Sequence, residues 1–219
     1  MLSMRGVAQD NRIMYMYVDY MRHGDLLGVL RHFNCHRKEK VPLDIVRFYI
    51  AQIVLCVEYL HDFKSVIHRD LKPENILIGP DGCVKLADFG FVKKLEKWER
   101  TRTFCGTPEY MAPEIILNDG YAHPVDWYAL GILMYELVYG RPPFMDPAGD
   151  HMKVFNMILK DKIKFTESFD KEAKSLIKHL TRSNVSKRYG HIRGGVSKIK
   201  NHAFFKNIDW NSLQKHNFH

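Results

Sequence analysis

The chain has 219 residues, 46% hydrophobic and 26% charged, with a formal net charge of +8. That length allows one large domain or two small ones around a sizeable core, and the balance is that of a folded rather than a disordered chain. No run approaches the roughly 20 apolar residues of a membrane span, and Met1-Leu2-Ser3-Met4-Arg5-Gly6 offers neither a secretory apolar core nor a glycine at position two for myristoylation.

In chain order, residues 13–20 are rich in Tyr, Met, Ile and Val and predict a strand. Residues 26–31 predict one short helix. The basic run Arg31, His32, His36, Arg37, Lys38 and Lys40 reads as a solvated loop, with a docking patch as the alternative. Over residues 42–61, Ile45, Val46, Tyr49, Ile53, Val57 and Leu60 recur at helical spacing, with Pro42 in the first turn, where proline is tolerated. Ile76-Leu77-Ile78 and Val84-Lys85-Leu86 flank Gly79-Pro80-Asp81-Gly82, a hairpin pattern. Residues 127–138 are apolar nearly all round and predict a helix buried on every side, stopped by Gly140, Pro142 and Pro143. Residues 151–159 and 171–180 predict two further helices. Without repeats or low-complexity tracts, the pattern is a mostly helical domain with a little sheet and no internal linker.

Four cysteines, Cys35, Cys56, Cys83 and Cys105, are widely spaced and read as reduced thiols of an intracellular protein. The 12 histidines fall in no metal-binding array. The positive charge suits nucleic acid, an anionic membrane or phosphate-bearing ligands and does not choose among them. A nucleic-acid binder would rest on charge alone, and none is expected.

The chemistry lies in three motifs. His68-Arg69-Asp70-Leu71-Lys72-Pro73-Glu74-Asn75 has the order and spacing of a catalytic loop for phosphoryl transfer. Asp88-Phe89-Gly90 follows the hairpin, and Ala112-Pro113-Glu114 follows that. Together they form the general pattern of protein kinases. Phosphoryl transfer needs a hydroxyl held in line with a phosphate and an acceptor for its proton. Asp70 is the candidate base, a role that supplies about 10²–10⁴-fold. Mg²⁺ arrives with ATP and prefers oxygen ligands, which Asn75 and Asp88 supply from adjacent loops. Lys72 is the cation for the transferring phosphate.

From about Asp10 onward, the chain resembles serine/threonine protein kinases of the AGC group, closest to cAMP-dependent kinase catalytic subunits. Arg102-Thr103-Phe104-Cys105-Gly106-Thr107-Pro108-Glu109-Tyr110-Met111-Ala112-Pro113-Glu114 is similar to their activation segment, and Gly195-Val196-Ser197-Lys198-Ile199-Lys200-Asn201-His202 to a late stretch. The resemblance implies an α+β kinase-like fold, mainly the helical large lobe. Residues 1–21 would be a remnant of the small lobe and hinge, 22–205 the large lobe, and 206–219 the start of a C-terminal tail. It implies that Arg188 pairs with Glu114, and that Asp126 caps the buried helix and braces the catalytic loop. Arg69 and Lys93 would face a phosphate on Thr103. Asp25, Glu74 and Glu136 match acidic positions that hold basic residues upstream of the target Ser/Thr. Phe104, Pro108 and Met111 match an apolar shelf for the residue after it. Asp19, Met21, Asp25 and Leu77 would line the nucleotide site. Implied partners are basic protein substrates and a regulatory or inhibitory subunit. The implied location is the cytoplasm, with the nucleus as a second compartment.

The sequence departs from that pattern in places. Before Val18-Asp19-Tyr20-Met21 the only glycine is Gly6, and the first lysine and glutamate are Lys38 and Glu39. The glycine-rich loop, strand lysine and helix glutamate of a complete kinase are therefore not in this sequence. Weak Mg–ATP binding by the chain alone is expected, and a kinase-derived binding module, scaffold or decoy is the alternative function. An insertion around residues 35–40 lengthens the loop before the long helix. Arg102 replaces the tryptophan that contacts cAMP-binding regulatory subunits in the similar kinases, which weighs against cAMP control.

Overall fold

A computed structural model describes residues 1–96, 98–160, 162–191 and 194–217. It is mostly helical, with three separate two-stranded antiparallel sheets among the described residues. β1 (Met4–Gln9) pairs with β2 (Met14–Val18) in an exposed ribbon, closed by the Asp10 carboxylate, which accepts from the amides of Arg12 and Ile13. Only the second strand was expected, and it is shorter than residues 13–20. The ribbon joins the body through the Leu2 amide, which donates to the Leu86 carbonyl at 2.9 Å.

α1 (Leu26–Arg31) starts at Asp25, whose side chain accepts from the Gly28 amide and satisfies a free helix-end donor. The basic run is not a loop: the helix continues as a widened, π-type turn over His32–Arg37, ending at Lys38 with φ 53°. Phe33 is the reason, because it is buried against the core while its basic neighbours stay exposed. α2 (Leu43–Glu58) begins one residue after Pro42, which is its cap rather than part of its first turn, and unwinds through Tyr59–Phe63.

β3 (Val66–Ile67) pairs with β6 (Lys93–Lys94), and β4 (Ile76–Ile78) with β5 (Val84–Leu86) across the expected turn. Gly82 donates to the Gly79 carbonyl in that turn, and the Val84 amide donates to Gln52 Oε1 of α2, which fixes the hairpin on the body. α3 (Pro113–Ile116) leads into α4 (Pro124–Tyr139), of which every residue but Tyr139 is buried. Leu130 and Leu133 are 0% exposed, as an apolar run without a polar stripe requires.

α5 (His151–Lys160) and α6 (Lys171–Leu180) follow their predicted spans closely. α6 crosses α4 at Gly131, where an added Cβ would lie 2.6 Å from Thr181 Cγ2. The indole of Trp127 packs onto Gly190, which has φ +89° and no room for a side chain. α7 (Ser197–Lys200) and α8 (Trp210–Asn217) were not expected; Trp210 Nε1 donates to the Lys200 carbonyl and draws the last helix onto the body. The expected tail over residues 206–219 is thus largely helical, and Phe218 and His219 lie outside the described residues. No described helix is long and apolar enough to cross a membrane.

Candidate active site

The catalytic loop runs from β3 to β4, and its shape is set from α4. The Asp126 carboxylate is fully buried and accepts from the His68 amide (2.8 Å), the Arg69 amide (2.9 Å) and His61 Nε2 (2.8 Å). Asp126 does not cap its own helix, which starts at His123 without a side-chain cap; the carboxylate is spent on the loop instead. Burial pushes the Asp126 pKa up, but the His61 hydrogen bond and the nearby histidines outweigh it and hold the carboxyl below its usual range. Arg69 takes the left-handed backbone region, φ 72°, just before Asp70.

Asp70 is 2% exposed and fully engaged. Its Oδ1 accepts from the Thr107 hydroxyl at 2.6 Å and the Thr107 amide at 3.1 Å. Its Oδ2 accepts from Asn75 Nδ2 at 2.9 Å and lies 3.0 Å from Lys72 Nζ. Lys72 also donates to Thr107 Oγ1 at 2.9 Å. Burial raises the Asp70 pKa, yet the bonds from Thr107, Lys72 and Asn75 more than offset it, so the carboxyl is held below its usual range.

Asn75 and Asp88 stand on neighbouring strand ends. The Ala87 amide, one residue before Asp88, donates to the Asn75 carbonyl at 2.9 Å. Asp88 is exposed, has φ 56°, and its Oδ1 accepts from the Gly90 amide. Asn75 spends its Nδ2 on Asp70, and its Oδ1 accepts no hydrogen bond among the described residues. One amide oxygen and one exposed carboxylate fit Mg²⁺, which binds through few protein oxygens and keeps water and phosphate for the rest of its octahedron. Phe89 packs edge-on to His68, whose Nε2 lies 3.2 Å from the Ala87 carbonyl, so the two motifs are packed against each other.

The activation segment is tied to the same loop. Glu114 and Arg188 form a buried two-pronged pair at 2.6 and 3.0 Å; Arg188 also donates to the Pro124 and Arg182 carbonyls and lies over the Tyr128 ring. Thr103 is exposed. Neither expected cation bonds it directly. Lys93 Nζ donates to Thr101 Oγ1, which is 3.2 Å from Thr103 Oγ1. Arg69 reaches the Tyr121 hydroxyl at 3.3 Å, and that hydroxyl donates to the Thr103 carbonyl.

The acidic positions converge in part. Tyr110 donates to the buried Glu136 through a short hydrogen bond. Burial, with the charges of Glu74 and Glu109, pushes the Glu136 carboxyl up to about 7, against the lowering effect of the Tyr110 bond. Asp25 is engaged elsewhere: one oxygen caps α1, and its backbone bridges to Leu77. Asp19 accepts from Arg5 at 2.6 Å and faces Lys85 at 3.6 Å, while the Met21 carbonyl accepts from Gly24. Phe104 is exposed and stacks edge-on to Phe155 of α5, Pro108 is half-buried and Met111 is buried.

Comparison with known proteins agrees with this arrangement: the protein kinase domain family matches residues 1–205. The chain belongs to the protein kinase family. Its α+β architecture is that of a kinase whose helical portion predominates. It is 42% identical over 205 residues to a cAMP-dependent protein kinase catalytic subunit of Dictyostelium discoideum, covering 94% of this chain and 30% of that protein. It is 42% identical over 206 residues to the human cAMP-dependent protein kinase catalytic subunit PRKX, covering 93% and 54%. It is 44% identical over 208 residues to a cGMP-dependent protein kinase, isozyme 2, of Drosophila melanogaster, covering 94% and 21%. The chain thus spans about half or less of the length of these relatives.

Within the kinase site, sequence reasoning missed Thr107, Glu109, Tyr121 and His61. Thr107 and Glu109 lay inside a quoted motif, but nothing local says that one reaches Asp70 or that the other adds to the acidic cluster. His61 sits on the far side of β3 from the loop it helps to hold.

Proposed function

We propose that this chain forms the substrate-binding part of a serine/threonine protein kinase that transfers the γ-phosphate of ATP to basic protein substrates. The observation that carries this is the Asp70 carboxylate, ionised at neutral pH and clamped between Thr107, Lys72 and Asn75 beside the Asn75–Asp88 pair. On this reading, residues 1–21 belong to the small lobe and hinge, 22–205 are the large lobe, and the tail starts at 206.

In the reaction, an incoming Ser or Thr hydroxyl would take the place of the Thr107 hydroxyl at Asp70 Oδ1. Its oxygen bonds the γ-phosphorus as the bond to the β–γ bridging oxygen breaks, ADP leaves, and the hydroxyl proton passes to Asp70. A carboxylate of lowered pKa is a weak base, so Asp70 acts mainly by orienting the hydroxyl, with its proton accepted late. Lys72, 3.0 Å from the same carboxylate, meets the charge on the transferring group. Asn75 and Asp88 would hold Mg²⁺, which neutralises charge on the phosphates. Glu74, Glu109 and Glu136, with Asp25 nearer the hinge, suit arginines two and three residues upstream of the target, because carboxylates take guanidinium in charge-assisted, often two-pronged hydrogen bonds.

The test is phosphate transfer from Mg–ATP to an arginine-rich serine peptide, by the chain itself and with a small lobe grafted from a related kinase. Asp70→Ala and Asp88→Ala should each lower transfer by about 100-fold or more while the protein still folds, with circular dichroism as the check. Near wild-type turnover in pure Asp70→Ala protein would overturn the mechanism. Equal affinity for acidic and basic peptides would overturn the specificity.

A further inference from the structure

A cavity of about 550 Å³ lies between the C-terminal half of α6, the end of α5 and the segment that follows it. Lys162, Lys174, Lys178 and Arg182 line it, and among the described residues no Asp or Glu does. Its apolar wall includes Phe144 and Phe165. None of the four cations forms an ion pair with a carboxylate among the described residues, whereas Lys72, Lys85, Lys94, Lys153, Lys200 and Arg188 all do. Lys174 and Lys178 instead lie over the Phe165 ring, 5.4 and 5.7 Å from its centre.

This arrangement has a physical consequence. Charges of one sign within a Debye length, about 8 Å at physiological salt, repel, and low-dielectric walls strengthen the field between them. The aromatic ring offsets a part of that, by about 0.5–1 kcal/mol per exposed contact. The helical spacing keeps the cations together: Lys174 and Lys178 are one turn apart, and Arg182 follows just past the helix end. Among the described residues the uncompensated charge is four, and one phosphate monoester at neutral pH carries at most about two.

We propose that this cavity binds a compact soluble polyanion bearing two or more phosphate groups. The four cations would take the phosphates, and the Phe144–Phe165 wall the body of the molecule. The concave shape favours a small molecule over a flat membrane, and the charge favours several phosphates over one. The proposal does not depend on the kinase reading, since no residue of the cavity belongs to the catalytic loop, the Asp-Phe-Gly motif or the acidic cluster.

Titration calorimetry with inositol hexakisphosphate and with pyrophosphate tests it. One site is expected, weakening as salt rises. The double variant K174E/K178E should bind at least about tenfold more weakly, since each exposed charge contact contributes a fraction of the energy that makes a tenfold change. R182Q, which leaves α6 untouched, should weaken binding in the same direction. K38E/K40E, on the other basic surface, should leave binding unchanged with a matching melting temperature. Equal loss in K38E/K40E would mean general charge attraction and overturn the site. So would no binding at low salt, no effect of K174E/K178E, or tighter binding of phosphatidylinositol-bisphosphate vesicles or a singly phosphorylated peptide than of the soluble polyphosphate.

Discussion

The carboxylate of Asp126, on the first turn of α4, accepts from the backbone amide of Arg69 at 2.9 Å and holds that residue at φ 72°. A non-glycine residue in this region is unfavourable by itself. The buried helix therefore fixes the direction in which the following residue, Asp70, faces.

Asp126→Ala should lower stability by about 3–5 kcal/mol, because it leaves two amides and a histidine buried without their partner. The folded carboxyl is held below its unfolded value. Its stabilisation is therefore complete above the unfolded value, near pH 4, and is lost as pH falls through the lower folded value. Urea melts from pH 7 to 2 check both points: Asp126→Asn should lose the acid-dependent part while keeping more of the neutral-pH stability than alanine.

Breaking the Glu114–Arg188 pair from one side should also be severe, by about 3–5 kcal/mol, since the remaining charge stays buried. Arg188→Met should cost less stability than Glu114→Ala if Tyr128 and the surrounding apolar wall accept the thioether. Chemical denaturation of both variants and of the double change measures the coupling.

Glu136 predicts a pH dependence of substrate binding. Its carboxyl is pushed up to about 7, so at pH 6 the free protein carries mostly the neutral acid. A bound arginine favours the carboxylate, so binding releases a proton and affinity rises with pH. From pH 6 to 8 the gain should be about tenfold if the bound carboxyl returns to its ordinary range. Peptide titrations across that interval read it, and Glu136→Gln should flatten the slope. In the free protein the sign is opposite: the contribution to stability is complete below the unfolded value, near 4.5, is lost as pH rises to about 7, and is level above that.

Gly131→Ala places a methyl 2.6 Å from Thr181 Cγ2 and 2.9 Å from Leu180 Cβ where α4 crosses α6. Overpacking of this kind costs about 1–3 kcal/mol, more than the roughly 1 kcal/mol that alanine gains over glycine in a helix. A net loss in melting temperature is expected. Thr181→Ser, which removes the Cγ2 methyl, should recover part of it.

What the sequence by itself determined is what lies within a few residues of each position. The Gly79-Pro80-Asp81-Gly82 turn makes its hairpin because the bonds that close it are local. α6 starts at Lys171 because the Asp170 side chain accepts from Ala173, and it buries the face set by Ala173, Leu176, Ile177 and Leu180. The α4 run has no polar stripe, so it has no solvent face to offer. The order of the three motifs likewise named Asp70, Asn75 and Asp88 before any coordinates. Tertiary structure alone decided the rest. The Thr107 hydroxyl meets Asp70 across 37 positions, and Glu109 joins Glu74 and Glu136 in one field that shifts a proton affinity. β1 forms because β2 is beside it, and the basic turn after α1 is helical because Phe33 finds the core. Apart from the β1–β2 ribbon, these contacts join residues far apart in sequence, and a hydrogen bond or a shared charge across such a distance leaves no period in the chain by which to read it.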